Sequence, residues 1–359
     1  MPLRLISLLL ATSIFSGCVV FRGSPSDPIP SLNTKGDVYK TEGANDTLIY
    51  DDALDHKRMV MLYLDFAESA ASQSTEERAA KVVGEGQFQQ LFHAQSYGKL
   101  TIAVEHVPGW RRLPKPRRAY GTKTTDAHRA LFVDVFALYP EVDLRDYDYI
   151  VANIAALGNV AFGERDALAI PYRGGKIRTA LNIASGSVYV LAHETAHLMG
   201  LPDLYTYGGV EGPRNPAGAW DIMSGRASKG FLGWHRHKLQ WLGPSRKAYF
   251  TSGRHHLELT PLSADSGLSM VVVPADDPAH PSKVFVAEVS QREPGGIVIY
   301  SVDATLETGQ NPVIVYPRCT LKEAAFHPGH TFADSAAPME LSVGKLTADG
   351  VYHVELWVR

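Results

Sequence analysis

The chain has 359 residues, enough for one large domain or two ordinary ones and for a sizeable apolar core. Hydrophobic residues make up 45% of it, charged residues 20%, and the formal net charge is −3. This balance is typical of a soluble globular protein and gives no indication of nucleic-acid binding. The short basic run RRLPKPRR at 111–118 is interpreted as a solvated loop.

The first residues have the pattern of an export signal. Met1–Arg4 carries one positive charge, Leu5–Phe15 is apolar, and small residues precede Cys18. The apolar run is too short to span a membrane and fits a secretory signal peptide. The sequence FSGC at 15–18 also resembles the bacterial lipobox, in which the cysteine is lipid-modified and becomes the mature N-terminus.

These features predict a lipoprotein-type signal peptide over 1–17 and lipidation of Cys18. The protein would then be exported and held at a bacterial membrane, at the cell surface or in the periplasm, or otherwise secreted. Contact with the membrane is expected only through the lipid anchor. The second cysteine, Cys319, is predicted to be unpaired and buried.

A polar segment precedes the first regular element. Residues 18–48 are rich in Pro, Ser, Gly, Asn and Asp and show little periodicity, which predicts a flexible tether. Apolar patterns then indicate a helix from a Ser74–Glu77 capping box to about Ser96, and a second helix at about 124–139. Residues 158–163, GNVAFG, are interpreted as an edge segment. Buried or alternating strand patterns occupy 58–66, 99–110, 147–157 and 178–184.

The pattern changes after about residue 250. Seven short apolar segments are separated there by turn residues, from HHLELTPL at 255–262 to YHVELWVR at 352–359. Regular short strands of this kind predict a β-rich module over 251–359, most simply a sandwich.

The stretch YVLAHETAHLMGLPDLY at 189–205 contains the pattern H-E-x-x-H. On a helix over 186–199, His193 and His197 lie one turn apart on the same face, so both rings can reach one ion. Glu194 lies beside them, placed to act on a water rather than to ligate. Most other positions of this helix are apolar, and two histidines and a glutamate on a buried helix are costly without a partner such as zinc. The alternative is a chance match, in which each histidine makes a core hydrogen bond.

The residues after the helix favour a metal site. Gly200 allows the helix to stop and the chain to turn, and Asp203, six residues after His197, can supply an oxygen ligand. This is the metzincin arrangement with aspartate in place of the third histidine. A glutamate ligand from a later helix is disfavoured, because the nearest glutamate, Glu211, lies in a Gly/Pro loop. Met223, in GAWDIMSG, is interpreted as the methionine of a turn beneath the metal.

The combined segments resemble the immune inhibitor A-like metallopeptidases, a family of secreted bacterial zinc proteases. The resemblance spans most of 57–303, and its segments are SYGKLTI, YDYIVANIA, HETAHLMGLPDLY, AWDIMSG, FLGWHRHKLQWL and FVAEVSQREPGGIVIYSVD. It implies His193, His197 and Asp203 as zinc ligands, Glu194 as the catalytic base and Met223 as the methionine turn.

We therefore predict an α+β protein. A metzincin-like zinc peptidase domain over 49–250, with a mixed twisted sheet and an active-site helix, would precede the sandwich-like module. The predicted activity is hydrolysis of peptide bonds in a protein or peptide, with one catalytic zinc ion and Glu194 as general base. The alternative is a catalytically weak or inactive surface binding protein on a metallopeptidase scaffold. No obligate partner is predicted.

Several further residues are candidates for the site. The side chains that could stabilise an oxyanion or contact the substrate are Tyr205, Tyr207, His235 and His237. Calcium is a second candidate cofactor, for which DDALD at 51–55 and DLRDYD at 143–148 offer acidic loops.

Overall fold

The computed structural model describes residues 28–34, 41–43, 52–120, 124–155, 161–183, 186–224, 228, 230–292, 295–317 and 323–359. The predicted signal peptide, Cys18, Cys319 and most of the predicted tether lie outside these residues. In the described part of the chain, no helix combines the length and apolar character needed to cross a membrane.

The first half of the chain is built on a six-stranded mixed sheet. Its order is β2-β1-β4-β6-β5, with the short β3 paired to β1. Strands β1, β2, β4 and β6 run parallel to one another, whereas β5 runs antiparallel to β6. The strands are β1 (Asp55–Asp65), β2 (Leu100–His106), β3 (Arg111–Arg112), β4 (Tyr149–Ile154), β5 (Ala161–Tyr172) and β6 (Gly175–Ile183).

Helices cover both faces of this sheet. In the described residues the α-helices are α1 (Thr75–Val83), α2 (Gln87–Gln95), α3 (Thr125–Ala137), α4 (Val188–Leu198) and α5 (Gly233–Lys238). Alternate residues of β1 enter two separate cores: Val60 and Leu62 pack with α3, while Met59 and Met61 pack with α1, α2 and α4. Burial on both faces explains why β1 and β4 are almost continuously apolar.

The helix predicted to run from Ser74 to about Ser96 is two helices. The capping box is confirmed, since Ser74 accepts from the Glu77 N–H and the Glu77 carboxylate accepts from the Ser74 N–H. The intervening residues Gly84–Gly86 all have positive φ, at 65°, 51° and 96°. A run of left-handed residues cannot continue a right-handed helix, so the apolar face turns a corner at this point.

The second half of the chain is a β-sandwich. Its strands form a five-stranded sheet, β12-β11-β10-β9-β7, and a four-stranded sheet, β13-β14-β15-β8. Leu257 and Leu356 of the four-stranded sheet share one core with Val271 and Ala287 of the five-stranded sheet. The strands are β7 (Lys247–Tyr249), β8 (Gly253–Leu259), β9 (Met270–Pro274), β10 (Lys283–Val289), β11 (Ile297–Asp303), β12 (Val313–Val315), β13 (Thr331–Ala333), β14 (Met339–Leu346) and β15 (Tyr352–Val358).

The five-stranded sheet is buried on both faces. In β10, Phe285 and Ala287 point into the sandwich, while Val284 and Val286 join the core that contains α4. The β-rich half is thereby fixed against helix α4 by apolar burial. The molecule is a mixed α/β protein with a parallel sheet and few helices, compatible with the predicted α+β class.

Candidate metal centre

Helix α4 carries the first two predicted ligands. Ser187 caps its N-terminus by accepting from the Val190 N–H, a preferred N-cap interaction. The helix packs against β5 and β6, and most of its surface is buried. The rings of His193 and His197 have centroids 4.7 Å apart and planes at 84°, so both lie on one face, as the sequence predicts.

Asp203 returns to this face after the helix ends. Gly200, at φ 94°, reverses the chain just beyond α4. The Asp203 Oδ1 atom then lies 2.9 Å from Nε2 of His193 and 3.3 Å from Nε2 of His197. Among the described residues, these three form the one group of potential metal ligands within reach of a single ion.

Backbone carbonyls hold both imidazoles from behind. Nδ1 of His193 donates to the Ile222 carbonyl at 3.1 Å, and Nδ1 of His197 donates to the Leu201 carbonyl at 2.8 Å. A carbonyl can only accept, so each Nδ1 carries the proton. In the neutral ring Nε2 is therefore a bare lone pair, directed towards Asp203, which is the tautomer that a metal requires.

The converging atoms require a positive charge. Oδ1 of Asp203 is buried and accepts no hydrogen bond with an acceptable angle, although Nε2 of both histidines lies close to it. Burial lowers the pKa of His193, but the Asp203 and Glu194 carboxylates outweigh burial and raise it to about 9. Burial likewise raises the pKa of Asp203, and the two histidines hold it well below its usual range.

The donor set fits zinc. Two imidazole nitrogens and one carboxylate oxygen are zinc ligands of a catalytic type, which leaves one position open. Bonds of about 2.0–2.1 Å at tetrahedral angles separate the ligand atoms by about 3.3 Å. The separations of 2.9 and 3.3 Å between Asp203 Oδ1 and the two Nε2 atoms are close to this value.

Glu194 is a buried carboxylate next to these ligands. Only 6% of the residue is exposed, and no hydrogen bond or ion pair engages its carboxylate within the described part of the chain. Its negative charge contributes to the raised pKa values of His193, Tyr205 and Tyr207. The carboxylate is therefore close enough to His193, Tyr205 and Tyr207 to influence their charge, and it is available to accept a proton.

Met223 lies in a tight turn next to the ligands. It is fully buried in the 3₁₀ turn Ile222–Ser224. The preceding residue, Ile222, supplies the carbonyl that holds His193, and the carbonyl of Met223 accepts from the Leu204 N–H at 3.0 Å. The turn thus fastens one ligand ring and the chain beside Asp203.

Two tyrosines adjoin the ligands. Tyr205 stacks on His193, with ring centroids 6.3 Å apart and planes at 23°. The Tyr207 hydroxyl donates to Oδ2 of Asp203, which leaves Oδ1 to face the histidines. The pKa of both phenols is raised, mainly by burial and to a lesser extent by the charge of Asp203. In this arrangement Tyr207 orients a ligand carboxylate instead of pointing towards a substrate.

The two histidines of α5 lie apart from the three ligands. Nε2 of His235 is 2.9 Å from a Glu42 oxygen, and Nδ1 is 2.8 Å from an Asp221 oxygen. With 1% exposure and both nitrogens facing carboxylates, His235 has no ring atom with which to contact a substrate. Nδ1 of His237 accepts from Lys247 at 2.7 Å. The pKa of His237 is lowered to about 3, mainly by burial and to a lesser extent by the charge of Lys247.

The acidic loop at 143–148 engages its carboxylates elsewhere. Asp143 binds the Arg145 guanidinium, with Nε at 2.8 Å from Oδ1. Asp148 accepts from the Arg58 backbone N–H at 2.7 Å. These carboxylates therefore do not converge on one point. Asp51 of the other acidic loop lies outside the described residues.

Comparison of the chain with protein-family models and with curated proteins found no match. The resemblance to the immune inhibitor A-like peptidases therefore stays a prediction from the quoted motifs. A function must be inferred from the geometry of the cluster itself.

Proposed function

We propose that the protein is a zinc-dependent endopeptidase with a metzincin-like catalytic domain. The observation that carries the proposal is the convergence of the Nε2 atoms of His193 and His197 on Oδ1 of Asp203, which accepts no hydrogen bond of acceptable geometry. The unengaged carboxylate of Glu194 lies beside them. A purely structural zinc site has no need of such a carboxylate, whereas hydrolysis needs a base beside the metal.

The sheet offers a surface for an extended peptide. Strand β5 is antiparallel to β6 and packs against α4. In the described residues β5 pairs only with β6 and forms one edge of the sheet. A substrate strand can pair with such an edge and pass the ligands in an extended form. This favours cleavage within a chain.

Each residue has a definite role in this proposal. His193, His197 and Asp203 would hold the zinc, which when bound polarises a carbonyl and lowers the pKa of water to about 7. Glu194 accepts the proton of the attacking water and delivers it to the leaving amine. Burial of Glu194 keeps competing hydrogen bonds away from it, and Tyr207 holds the Asp203 carboxylate in its ligating orientation.

The substitution Glu194→Gln tests the base. It should reduce cleavage of an unstructured protein such as casein by about 10³-fold, the scale of lost general-base catalysis. Zinc content should remain at one equivalent, because glutamine has the same shape and no ligand changes. The matched control is Glu211→Gln, an exposed glutamate in the loop after the ligands, which should retain wild-type activity.

Each of the other outcomes contradicts a different part of the proposal. Full activity of Glu194→Gln would overturn the assignment of the base. A wild-type protein that holds zinc but cleaves no member of a peptide library would favour the binding-protein alternative. A wild-type protein that retains no zinc after dialysis against micromolar zinc would overturn the metal site.

A further inference from the structure

The loop between β11 and β12 reaches the third ligand. Residues 304–312 come from the β-rich half, about a hundred positions after Asp203. Oγ1 of Thr308 accepts from the Asp203 backbone N–H at 2.9 Å. The Gly309 N–H donates to the Asp203 carbonyl at 3.2 Å. Both polar groups of the Asp203 backbone are therefore held by this loop.

The same loop also holds Tyr207. The Tyr207 N–H donates to the Gly309 carbonyl at 3.0 Å, and its hydroxyl lies 3.3 Å from Oγ1 of Thr308. That hydroxyl also donates to Oδ2 of Asp203. Thr308 thus contacts both the ligand and the side chain that orients the ligand.

Gly309 is required for this close approach. Its φ is 76°, a left-handed conformation, and a Cβ atom at this position would lie 2.2 Å from Cγ of Tyr207. Any side chain at 309 would push the Tyr207 ring away. Glycine therefore allows the loop backbone to lie directly against the ring that supports Asp203.

The loop is itself anchored firmly. Val302 and Val313, in the strands that flank it, are buried in the core shared with α4. Glu307 forms an antiparallel bridge with Thr41 of the N-terminal segment. A loop with both ends in a buried sheet can hold a ligand in one place, whereas the chain after α4 has no regular structure of its own.

We propose that Thr308 and Gly309 are positioning residues for the third metal ligand, and that the β-rich half completes the metal centre. This inference rests on the proposed zinc site. Thr308 and Gly309 would set zinc affinity without touching the ion, as outer partners of metal ligands do. The β-rich half would then be part of the catalytic unit and not a separate attachment.

The substitution Thr308→Val tests the inference in the full chain. Valine has nearly the same shape but cannot accept from the Asp203 N–H, so the zinc dissociation constant should rise about tenfold. It is measured by competition with a chromogenic chelator. Thr308→Ser should restore the wild-type value. The matched control is Thr305→Val in the same loop, where the hydroxyl binds Asp303 and not the ligand segment.

The thermal midpoint of the zinc-free protein separates positioning from general stability. A structural role alone would lower this midpoint for Thr308→Val while leaving the zinc dissociation constant unchanged, and that result overturns the inference. Gly309→Ala provides a second variant, which should weaken zinc binding at least as much as Thr308→Val. If the wild-type protein binds no zinc, the proposed function fails as well. If wild type binds zinc and both variants match it, only this inference fails.

Discussion

The molecule contains two buried clusters of histidine and carboxylate that differ in their balance of donors and acceptors. In one, the single ring of His235 lies between Glu42 and Asp221. In the other, two rings face one oxygen of Asp203. Both clusters lie next to the turn that contains Met223, since Asp221 also accepts from the Met223 N–H at 2.7 Å.

The His235 cluster is closed. Each ring nitrogen faces a different carboxylate, so a charged imidazolium matches both of its neighbours. Burial lowers the pKa of His235, but Asp221 and Glu42 outweigh burial and raise it to about 10. Asp221 also accepts from the Leu232 N–H at 2.7 Å. Nδ1 of His235 makes no hydrogen bond of acceptable geometry, but it lies 2.8 Å from the Asp221 carboxylate and is paired with it by charge.

The Asp203 cluster is open. Two of its four ring nitrogens already donate to the carbonyls of Ile222 and Leu201, so in the neutral rings the remaining two are acceptors that face a third acceptor. Such a group is favourable only around a proton or a cation. The balance of donors and acceptors, and not the types of residue, therefore distinguishes the proposed metal site from a buried ion pair.

Removal of a ligand should have the largest effect. In His197→Gln the cluster loses one of its two ligating Nε2 atoms. The protein should then retain no zinc after dialysis, while wild type retains one equivalent. The measurement is metal content by atomic spectroscopy. His256→Gln, on the exposed edge of β8, is the matched control and should keep its zinc. Stoichiometric zinc in His197→Gln would contradict the assignment of the open cluster.

Removal of a charge from the closed cluster should affect stability instead. In Glu42→Gln the imidazolium of His235 keeps only one carboxylate, and breaking a buried ion pair costs about 3 kcal/mol of unfolding free energy. Urea denaturation measures this loss. Zinc content should stay at one equivalent, because Glu42 touches none of the three ligands. Glu355→Gln, in an exposed pair with Arg254, should change stability by less than about 1 kcal/mol.

The open cluster is largely local in sequence and could be predicted. His193, Glu194 and His197 share one helix turn, and Gly200 and Asp203 follow within six residues, so helical periodicity and one chain reversal bring them together. The positions of the strands after residue 250 were predictable for the same reason. The three-residue strands β7 and β13 were missed, whereas the equally short β12 was predicted because it is part of a continuous apolar run.

The supports of the cluster could not be predicted. The carbonyls of Ile222 and Leu201 are backbone atoms, which every residue carries, so no sequence pattern marks them. Thr308 reaches Asp203 from a strand connection about a hundred residues away. Glu42 lies in a segment with the composition of a tether, yet it is buried and pairs with His235. No local pattern in the sequence marks this pairing, because it depends on tertiary contacts alone.

The helix break and β5 show two other limits. Glycines at 84 and 86 were a visible signal of a break, but the apolar spacing continues across them and favoured one helix. Strand β5 runs from Ala161 to Tyr172, well beyond the edge segment predicted at 158–163. Its pairing with β6 shifts register between Arg165 and Ile170, and an irregular strand has no steady alternation to detect.

The two clusters should also respond to opposite ends of the pH range: the His235 cluster should lose its stabilisation at high pH, and the Asp203 cluster should lose zinc at low pH. These effects should be smaller than those of the substitutions above. The folded pKa of His235 is raised to about 10, above an unfolded value of about 6.5. Its stabilisation is therefore fully present below about pH 6.5 and is lost as the pH rises through about 10. The difference in unfolding free energy between wild type and Glu42→Gln should shrink by about 1–2 kcal/mol from pH 7 to pH 10.

This difference is measured in a chelator, so that zinc makes no contribution. Lys238, whose Nζ lies 4.0 Å from Glu42, titrates in the same range because burial lowers its pKa to about 8. The substitution Lys238→Met in both backgrounds removes the contribution of Lys238 to the pH dependence.

Zinc occupancy of the Asp203 cluster should be lost on the acid side instead, since protons compete for the ring nitrogens of His193 and His197. A constant difference between wild type and Glu42→Gln up to pH 10 would mean that His235 is not held as an imidazolium, and the contrast between a closed and an open cluster would fail.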